Sequence, residues 1–255
     1  MAETGTAGYG KPIWADLSTT DRTGARTFYS TLFGWSAEPS PDPAAGGYAV
    51  AQLDGRDVAG IGGVQGEGQP SAWSVYIGTA DASETARRVE AAGGKVVAPP
   101  FDIMDQGRMG VFQDPSGAFI SVWQPIKMMG AQVARRPGSV SWNELNARGL
   151  ASTKPFYERV FGWATKTSPF GEGEEYTEWQ LGGESVAGGM EMARMVPAEV
   201  PSHWLVYFQA DDVAATTERA RELGATVVMP ATDYPGGKFS IVRDPQGAVF
   251  GLMSG

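Results

Sequence analysis

The sequence of 255 residues contains no cysteine and a single histidine, His203. Without cysteine, the chain has no disulfide, no thiolate nucleophile and no thiolate ligand for a metal. With one histidine, a single chain cannot assemble a metal centre that needs two imidazole ligands. A site in this chain is therefore built without thiols and with at most one imidazole.

Positive charge is also scarce, with 20 Lys and Arg against 29 Asp and Glu and a formal net charge of −9. A nucleic-acid surface needs clustered basic residues, and Arg135-Arg136 is a local pair rather than a patch. No apolar run approaches the ~18 residues of a membrane span, and residues 1–10 lack the apolar core of a signal peptide. We expect no nucleic-acid partner, no membrane association and a cytoplasmic location.

The sequence does contain an internal repeat. Segments of the first half recur 128 residues later near the start of the repeat, and 130 or 131 residues later further along. Such a small drift indicates short loop insertions within one preserved fold, and each copy has the size of a domain. The clearest repeated segments are Phe33-Gly34-Trp35 with Phe161-Gly162-Trp163, Val58-Ala59-Gly60 with Val186-Ala187-Gly188, and Asp114-Pro115-Ser116-Gly117 with Asp244-Pro245-Gln246-Gly247. We predict a tail (1–10), a first domain (11–125), a linker (126–139) and a second domain (140–255).

Within each copy the hydrophobic pattern itself repeats. Lys11–Thr19 is predicted as a strand, and Asp21 is predicted to cap a helix that ends at Gly34. Two strands follow, and the order strand, helix, strand, strand then starts again at Ala72. The sequence predicts an α+β fold of four βαβββ units, which form two cup-shaped, incompletely closed barrel-like domains with helices outside.

Several motifs resemble one family, the vicinal oxygen chelate superfamily of glyoxalase I, bleomycin-resistance proteins and extradiol dioxygenases. They are the Asp-…-Phe-Tyr-…-Leu-Phe-Gly-Trp run after the first strand, the Ala80-Asp81 entry to the second helix, and the Asp-Pro-x-Gly turn before the last strand. The resemblance covers almost the whole chain twice. The first strands, Trp-Ala-Asp-Leu and Trp-Asn-Glu-Leu, together with His203-Trp204, resemble a two-domain actinobacterial group with hydroxylase, glyoxalase-like and anthracycline-pathway labels.

The resemblance implies three positions per copy at which the family's enzymes hold a divalent metal. They lie on the first strand, on the first strand of the second unit and on the last strand. Counted out in this sequence, they are Trp14, Ser74 and Ser121 in the first copy and Trp142, Trp204 and Gly251 in the second. None is a His, Gln, Glu or Asp, whereas a catalytic divalent site needs about three N or O ligands. We predict no metal in the family position and no cofactor.

Alternate residues of a strand face the same side, which predicts the residues that point into each cup. An apolar, aromatic cavity with a few polar groups suits a small planar ligand. The predicted ligand-binding residues are Trp14, Ser74, Tyr76, Ser121, Trp123, Trp142, Asn146, Trp204 and Phe208. Asp16, Glu144 and His203 are candidate acids or bases. The two carboxylates are equally compatible with a structural role, in which they bond linker or inter-domain backbone. His203, at a strand entrance, fits a rim or structural role better than a catalytic one.

These residues leave several functions open. We favour a metal-free binding protein that holds a small aromatic or hydrophobic molecule, natural-product-like, for resistance or biosynthesis. One alternative is a metal-independent enzyme, hydroxylase-like or acid/base, that acts on a polyketide-like substrate. The others are a metal-dependent glyoxalase-type lyase or dioxygenase, and a structural or regulatory protein. Whether the chain is an enzyme stays open. The duplication predicts a monomer with an internal pseudo-twofold. The small residues Ser74 and Ser121 predict a larger cavity in the first copy, and Trp142 and Trp204 are expected to plug the second.

Overall fold

The computed structural model describes residues 8–170, 173–192 and 196–255. Residues 1–7 of the predicted tail lie outside the described residues. The first copy contains β1 (Pro12–Thr19), α1 (Arg22–Phe33), β2 (Ala49–Leu53), β3 (Arg56–Gly63), β4 (Ala72–Gly78), α2 (Ala82–Ala91), β5 (Lys95–Ile103), β6 (Gly107–Gln113) and β7 (Phe119–Pro125). The second contains β8 (Val140–Ala147), α3 (Leu150–Phe161), β9 (Ala164–Phe170), β10 (Glu174–Leu181), β11 (Glu184–Glu191), β12 (His203–Gln209), α4 (Val213–Glu222), β13 (Thr226–Tyr234), β14 (Gly237–Arg243) and β15 (Val249–Met253).

Each copy forms its own mixed sheet, which confirms the predicted duplicated α+β fold. The strand order is β2-β3-β1-β4-β7-β6-β5 in the first copy and β13-β14-β15-β12-β8-β11-β10-β9 in the second. Strands β1 and β3 pair in parallel, as do β4 and β7, whereas the hairpins β2–β3 and β5–β6 are antiparallel. Strand β9 was not predicted because its sequence, Ala-Thr-Lys-Thr-Ser-Pro-Phe, lacks an apolar alternation.

The ends of α1 show how local chemistry sets the element boundaries. The Asp21 carboxylate accepts hydrogen bonds from the backbone N–H groups of Thr23 and Gly24, at 3.1 and 3.0 Å, so it caps the first turn. Gly34 ends the helix in the left-handed conformation, with φ 74°, which glycine adopts without strain. The helix therefore lies where the sequence predicted it, and its apolar side carries the buried residues Ala25, Phe28, Tyr29 and Phe33.

Contacts divide the chain into two compact units that do not follow the two copies. One, here unit 1, contains the described residues up to Ile13 and those within Val75–Met129 and Glu144–Trp204. The other, unit 2, contains Trp14–Ser74, Gly130–Asn143 and Leu205–Gly255. Each unit thus combines one half of the first copy with one half of the second. The boundaries predicted from the repeat (11–125, 126–139 and 140–255) stay a prediction about which segments fold alone.

Each unit contains the same buried bridge between a tryptophan, a tyrosine and an aspartate. In unit 2, Trp73 Nε1 donates to the Tyr29 hydroxyl at 3.0 Å, and that hydroxyl donates to Asp244 Oδ2 at 2.8 Å. In unit 1, Trp204 Nε1 donates to the Tyr157 hydroxyl at 3.0 Å, and this hydroxyl donates to Asp114 Oδ2 at 2.8 Å. The Phe-Tyr and Asp-Pro-x-Gly motifs of the sequence are therefore joined structurally, each across the two copies.

Because Tyr29 and Tyr157 lie on helices, these bridges identify one face of each sheet. We call the face whose side chains contact helices the helix face, and the opposite one the open face. Trp73 and Trp204 lie on helix faces. Since successive side chains alternate, Ser74 lies on the open face of the first copy and Leu205 on that of the second.

Candidate functional site

The open face of β1 carries a cluster of an indole, a phenol and a carboxylate within unit 2. Trp14 Nε1 donates to the hydroxyl of Tyr48 at 3.1 Å. The same hydroxyl donates to Asp16 Oδ2 through a long hydrogen bond of 3.5 Å. Trp14 and Asp16 are two residues apart, so the alternation that predicted a shared face is consistent with this contact. We call this group the Trp14–Tyr48–Asp16 cluster.

Two glycines of β3 make room for the ring of Tyr48. A Cβ atom added at Gly60 would overlap the Tyr48 hydroxyl, and one added at Gly62 would lie 3.1 Å from the ring. Gly60 is the strand partner of Asp16 in the parallel β1–β3 pair. The repeated Val-Ala-Gly motif thus serves the site, because the missing side chain at Gly60 allows the phenol to lie between Trp14 and Asp16.

The surroundings of Tyr48 keep its hydroxyl protonated. Burial of the hydroxyl raises the pKa of Tyr48 well above its usual value, and the negative charge of Asp16 raises it further. The hydrogen bond that Trp14 donates lowers the pKa of Tyr48, but it does not outweigh the other two effects. At neutral pH the phenol of Tyr48 is therefore neutral, and it donates its hydrogen bond to Asp16.

The second copy carries a related but different set of residues at the matching positions. Glu144 replaces Asp16 at the offset of 128 and is buried. Asn146 Nδ2 donates to Glu144 Oε1 at 3.2 Å, as expected for two residues on one face of β8. Trp142, two residues earlier, is half-buried. Tyr176 is the counterpart of Tyr48, so the sequence contained a signal for both tyrosines that the search for ligand positions missed.

In unit 1, the open face of the first copy carries a row of apolar side chains. Phe101 on β5 lies opposite Met109 on β6, and Met109 lies opposite Trp123 on β7, so the three side chains form a row across one face. Tyr76 and Ser121 are partners on the neighbouring pair β4–β7. The predicted open-face orientation of Tyr76, Ser121 and Trp123 agrees with this register.

Two predicted ligand-binding residues face the wrong way for that role. Trp204 bonds to Tyr157 of α3, and Phe208 packs against Phe33 of α1 with ring centroids 5.0 Å apart. Both lie on the helix face, so their predicted orientation into the cup is wrong, as is the prediction that Trp204 plugs the second copy. The sequence comparison had matched Ser74 to Trp204, but the structural equivalent of Trp204 is Trp73. A slip of one residue moves every side chain of a strand to its other face.

His203 begins β12 and is half-buried. Its Nδ1 lies 2.9 Å from the carbonyl oxygen of Pro201. That contact ties the imidazole to the chain just before the strand, which is consistent with the structural alternative for this residue. Alternation places His203 on the same face as Leu205 and Tyr207.

The donor atoms at the family's metal positions do not fit a divalent ion. In the first copy, the indole N–H of Trp14 is a hydrogen-bond donor without a lone pair for a metal. In the second copy, with the corrected register, the positions are Trp142, Leu205 and Gly251, which offer no side-chain ligand. Across residues 8–170, 173–192 and 196–255, no group of three or more His, Cys, Asp and Glu is placed to hold a metal.

A duplicated α+β chain of βαβββ units defines a class of proteins, and comparison with known families agrees. The chain matches the model of the Glyoxalase/Bleomycin resistance protein/Dioxygenase superfamily over residues 13–122 and again over residues 136–252. The chain belongs to this superfamily. None of the helices in the described part of the chain is long and apolar enough to cross a membrane.

Among curated proteins, the chain is 38% identical to a putative glyoxylase, CFP32, of Mycobacterium tuberculosis, over 96% of this chain and 94% of that protein. It is also 38% identical to the anthracycline biosynthesis protein DnrV of Streptomyces peucetius, over 96% and 93% of the two chains. These relatives confirm the resemblance to a two-domain actinobacterial group.

Solved structures share the fold at low identity. One is a Mn(II)-bound glyoxalase from Novosphingobium aromaticivorans, with a TM-score of 0.66 and 16% identity over 97% of this chain and 82% of that one. Another is the 2,3-dioxygenase LapB from Pseudomonas sp. KL28, with a TM-score of 0.68 and 15% identity over 98% and 94%. At this identity the likeness concerns the fold alone.

Proposed function

We propose that this protein binds a planar aromatic small molecule at the Trp14–Tyr48–Asp16 cluster, without a metal ion. The observation that carries the proposal is the cluster itself. At the first inherited ligand position it has an indole whose N–H is bonded to a phenol, in place of a metal-ligating side chain. Aromatic walls with a few oriented polar groups are the usual composition of a small-molecule site.

The cluster favours a ligand that carries phenolic or keto oxygens on a flat ring system. Stacking on an aromatic side chain adds about 0.5–1.5 kcal/mol beyond the burial of area. The Asp16 carboxylate accepts a hydrogen bond from a ligand hydroxyl. The protonated Tyr48 hydroxyl can turn from Asp16 to donate to a ligand carbonyl. The name of the relative DnrV, an anthracycline biosynthesis protein, supports a natural-product pathway as the context.

Catalysis without a metal is the second candidate, because one observation favours it. A neutral phenol and a carboxylate lie within 3.5 Å of each other, so the pair can donate and accept protons at neighbouring atoms of one ligand. In this alternative Asp16 acts as a base, and Tyr48 supplies the proton. Turnover of a bound polyketide-like ligand that is lost in Asp16→Asn, with binding retained, distinguishes an enzyme from a binding protein.

Calorimetric titration with 1,8-dihydroxyanthraquinone, a planar hydroxy-ketone, tests the proposed binding. Tyr48→Phe keeps the ring and removes the hydroxyl between Trp14 and Asp16, so we expect the affinity to fall by about tenfold. The matched control is Tyr176→Phe, which makes the same change at the equivalent position of the second copy. Equal affinity of Tyr48→Phe and wild type would contradict the assignment of the cluster.

Elemental analysis of protein purified without a His tag or a chelator tests the metal-free part of the proposal. We expect substoichiometric metal and an unchanged ligand titration after dialysis against EDTA. One tightly held metal per chain, together with loss of ligand binding on its removal, would refute a metal-free site.

A further inference from the structure

In unit 2, the phenol of the Trp14–Tyr48–Asp16 cluster follows two consecutive glycines. Gly46 and Gly47 both have a left-handed backbone conformation, with φ 58° and 77°. Glycine adopts positive φ about as readily as negative φ, so two glycines in succession restrict the chain only weakly. The direction in which Tyr48 leaves this turn therefore depends on contacts from outside the turn.

The loop that contains the turn is closed on itself. The backbone N–H of Ser40 donates to the carbonyl oxygen of Tyr48 at 2.8 Å, and the N–H of Tyr48 donates to the carbonyl oxygen of Ala45 at 2.9 Å. Between them lies the short 3₁₀ helix Pro43–Ala45, which Asp42 caps. These bonds fix the shape of the loop, but they do not join it to a helix or to another strand.

Arg22, the first residue of α1, makes such a connection. Its Nη1 atom donates a hydrogen bond to the carbonyl oxygen of Gly46. The guanidinium lies against the next residue, since a Cβ atom at Gly47 would be 2.6 Å from Nη1. The stem of the side chain passes Gly63 at the end of β3, where a Cβ atom would lie 3.6 Å from Cδ of Arg22. Arg22 therefore contacts both the turn before Tyr48 and the strand on which the tyrosine ring lies.

The second copy holds the equivalent tyrosine by a different means. Leu150 stands at the position of Arg22, and its side chain has no hydrogen-bond donor. The segment before Tyr176 is the regular strand β9, and Tyr176 itself pairs with Ser168 of that strand. The corresponding segment of the first copy makes isolated bridges in place of a strand. An arginine contact and a strand ladder are thus two ways to hold the chain around this tyrosine.

We infer that Arg22 is a positioning residue of the candidate site. By holding the Gly46–Gly47 turn beside β3, it directs the Tyr48 hydroxyl into the cluster. The rigid, planar guanidinium suits this role because it loses little freedom for each hydrogen bond that it forms. The inference rests on the proposed function and adds to it a residue outside the cluster, which acts through Tyr48 rather than by contact with the ligand.

The indole N–H resonance of Trp14 in a proton–nitrogen correlation spectrum tests the inference in the full chain without ligand. Trp14→Phe identifies the resonance by its absence, and Tyr48→Phe gives its position without the phenol hydroxyl. We expect Arg22→Ala to move the resonance towards that position, because the Tyr48 hydroxyl then leaves the indole. The matched control is Arg26→Ala, which removes the same charge from the same helix, where the guanidinium bonds to Thr23 at 3.5 Å.

Calorimetric titration with 1,8-dihydroxyanthraquinone tests the link to binding. We expect Arg22→Ala to weaken the affinity about fivefold in wild type, and to change it little where Tyr48→Phe is already present. Two changes that act on the same hydroxyl are not additive, whereas a general loss of structure lowers the affinity in both backgrounds. Arg26→Ala should leave the affinity unchanged in both.

The outcomes separate this inference from the function on which it rests. No binding of the probe by wild type would overturn the proposed function, while the Trp14 resonance still decides the role of Arg22. An unmoved resonance in Arg22→Ala, or an equal loss of affinity with and without the Tyr48 hydroxyl, would leave the function standing and overturn the positioning role. If Arg22→Ala does not fold, Arg22→Gln takes its place in both measurements, because its polar side chain ends well short of the Nη1 position.

Discussion

At the scale of single residues, the candidate site depends on the space that Gly60 leaves. The ring of Tyr48 occupies that space, and its hydroxyl bonds to both Trp14 and Asp16 of β1. Trp14 and Asp16 lie two residues apart on one strand, whereas Tyr48 belongs to a separate segment before β2. A side chain at Gly60 would therefore displace the partner that the two β1 residues share.

Gly60→Ala should therefore destabilise the protein and disturb the site together. The added methyl overlaps the Tyr48 hydroxyl, so the ring must move, and overpacking of this kind costs about 1–3 kcal/mol. Urea unfolding followed by circular dichroism measures the change. Gly66→Ala is the matched control, because a Cβ atom there meets nothing within 4 Å. Equal stability of the two variants would show that the Tyr48 pocket is not tightly packed.

Asp244 gives the stability a pH dependence of defined sign. Burial raises the pKa of Asp244 above its ordinary value, although the hydrogen bonds from Tyr29 and from the turn backbone oppose the shift. Because the folded state holds the proton more tightly, this group stabilises the fold fully below its unfolded pKa. That contribution is lost as the pH rises through the folded pKa.

We expect the difference in unfolding free energy between wild type and Asp244→Asn to change in favour of the variant as the pH rises from about 4 to 7. Urea denaturation at four pH values in that window measures it. Asn retains an oxygen for the turn N–H groups but does not titrate. A difference that grows in favour of wild type would show that the carboxylate, and not the acid, is the better partner for Tyr29.

At the scale of elements, the two copies begin their first helix by different means. Asp21 caps α1 from within its own segment, but the equivalent residue before α3 is Gly149, which has no side chain. Instead, the Glu191 carboxylate at the end of β11 accepts hydrogen bonds from the N–H groups of Gly149 and Leu150, both at 2.7 Å. The helix was predictable from its apolar period, but a cap supplied from a separate strand was not.

The bounds of the edge strand β5 were also not fully predictable from the local sequence. Strand β5 was predicted over Lys95–Ala98, but it continues to Ile103 through Pro99 and Pro100. It is the last strand of its sheet, and an edge strand tolerates proline because one side makes no ladder hydrogen bonds. The position of a strand in its sheet, which the local pattern does not contain, decides whether proline ends it.

Glu191→Ala should destabilise the protein by about 0.5–2 kcal/mol, the cost of losing a helix cap. Two backbone donors at the start of α3 lose their acceptor, and the negative charge at the helix N-terminus is lost with them. Thermal unfolding measures the effect, with Asp21→Ala as the matched change at α1. Full stability of Glu191→Ala beside a destabilised Asp21→Ala would indicate that water replaces the glutamate.

At the scale of the whole chain, the repeat predicted two copies, but it did not predict that the compact units combine halves of both. The link is the pair of Trp–Tyr–Asp bridges, in which the tyrosine of one copy bonds to the Asp-Pro-x-Gly aspartate of the other. Both motifs were visible in the sequence as repeated segments. Their partnership was not, because a motif that occurs twice does not show which occurrence it contacts.

A single copy should therefore fail to fold as a monomer and should pair with itself. In a fragment of residues 11–125, Tyr29 and Trp73 lose Asp244, but a second fragment offers Asp114 in the same Asp-Pro-x-Gly turn. Light scattering after size exclusion should show a dimer of the fragment, whereas the full chain is predicted to be a monomer. Asp114→Ala in the fragment removes this substitute acceptor. The buried Tyr29 hydroxyl then has no carboxylate to receive its hydrogen bond, so we expect the fragment to shift towards unfolded monomer.

A monomeric fragment that unfolds cooperatively would instead establish 11–125 as an independent domain.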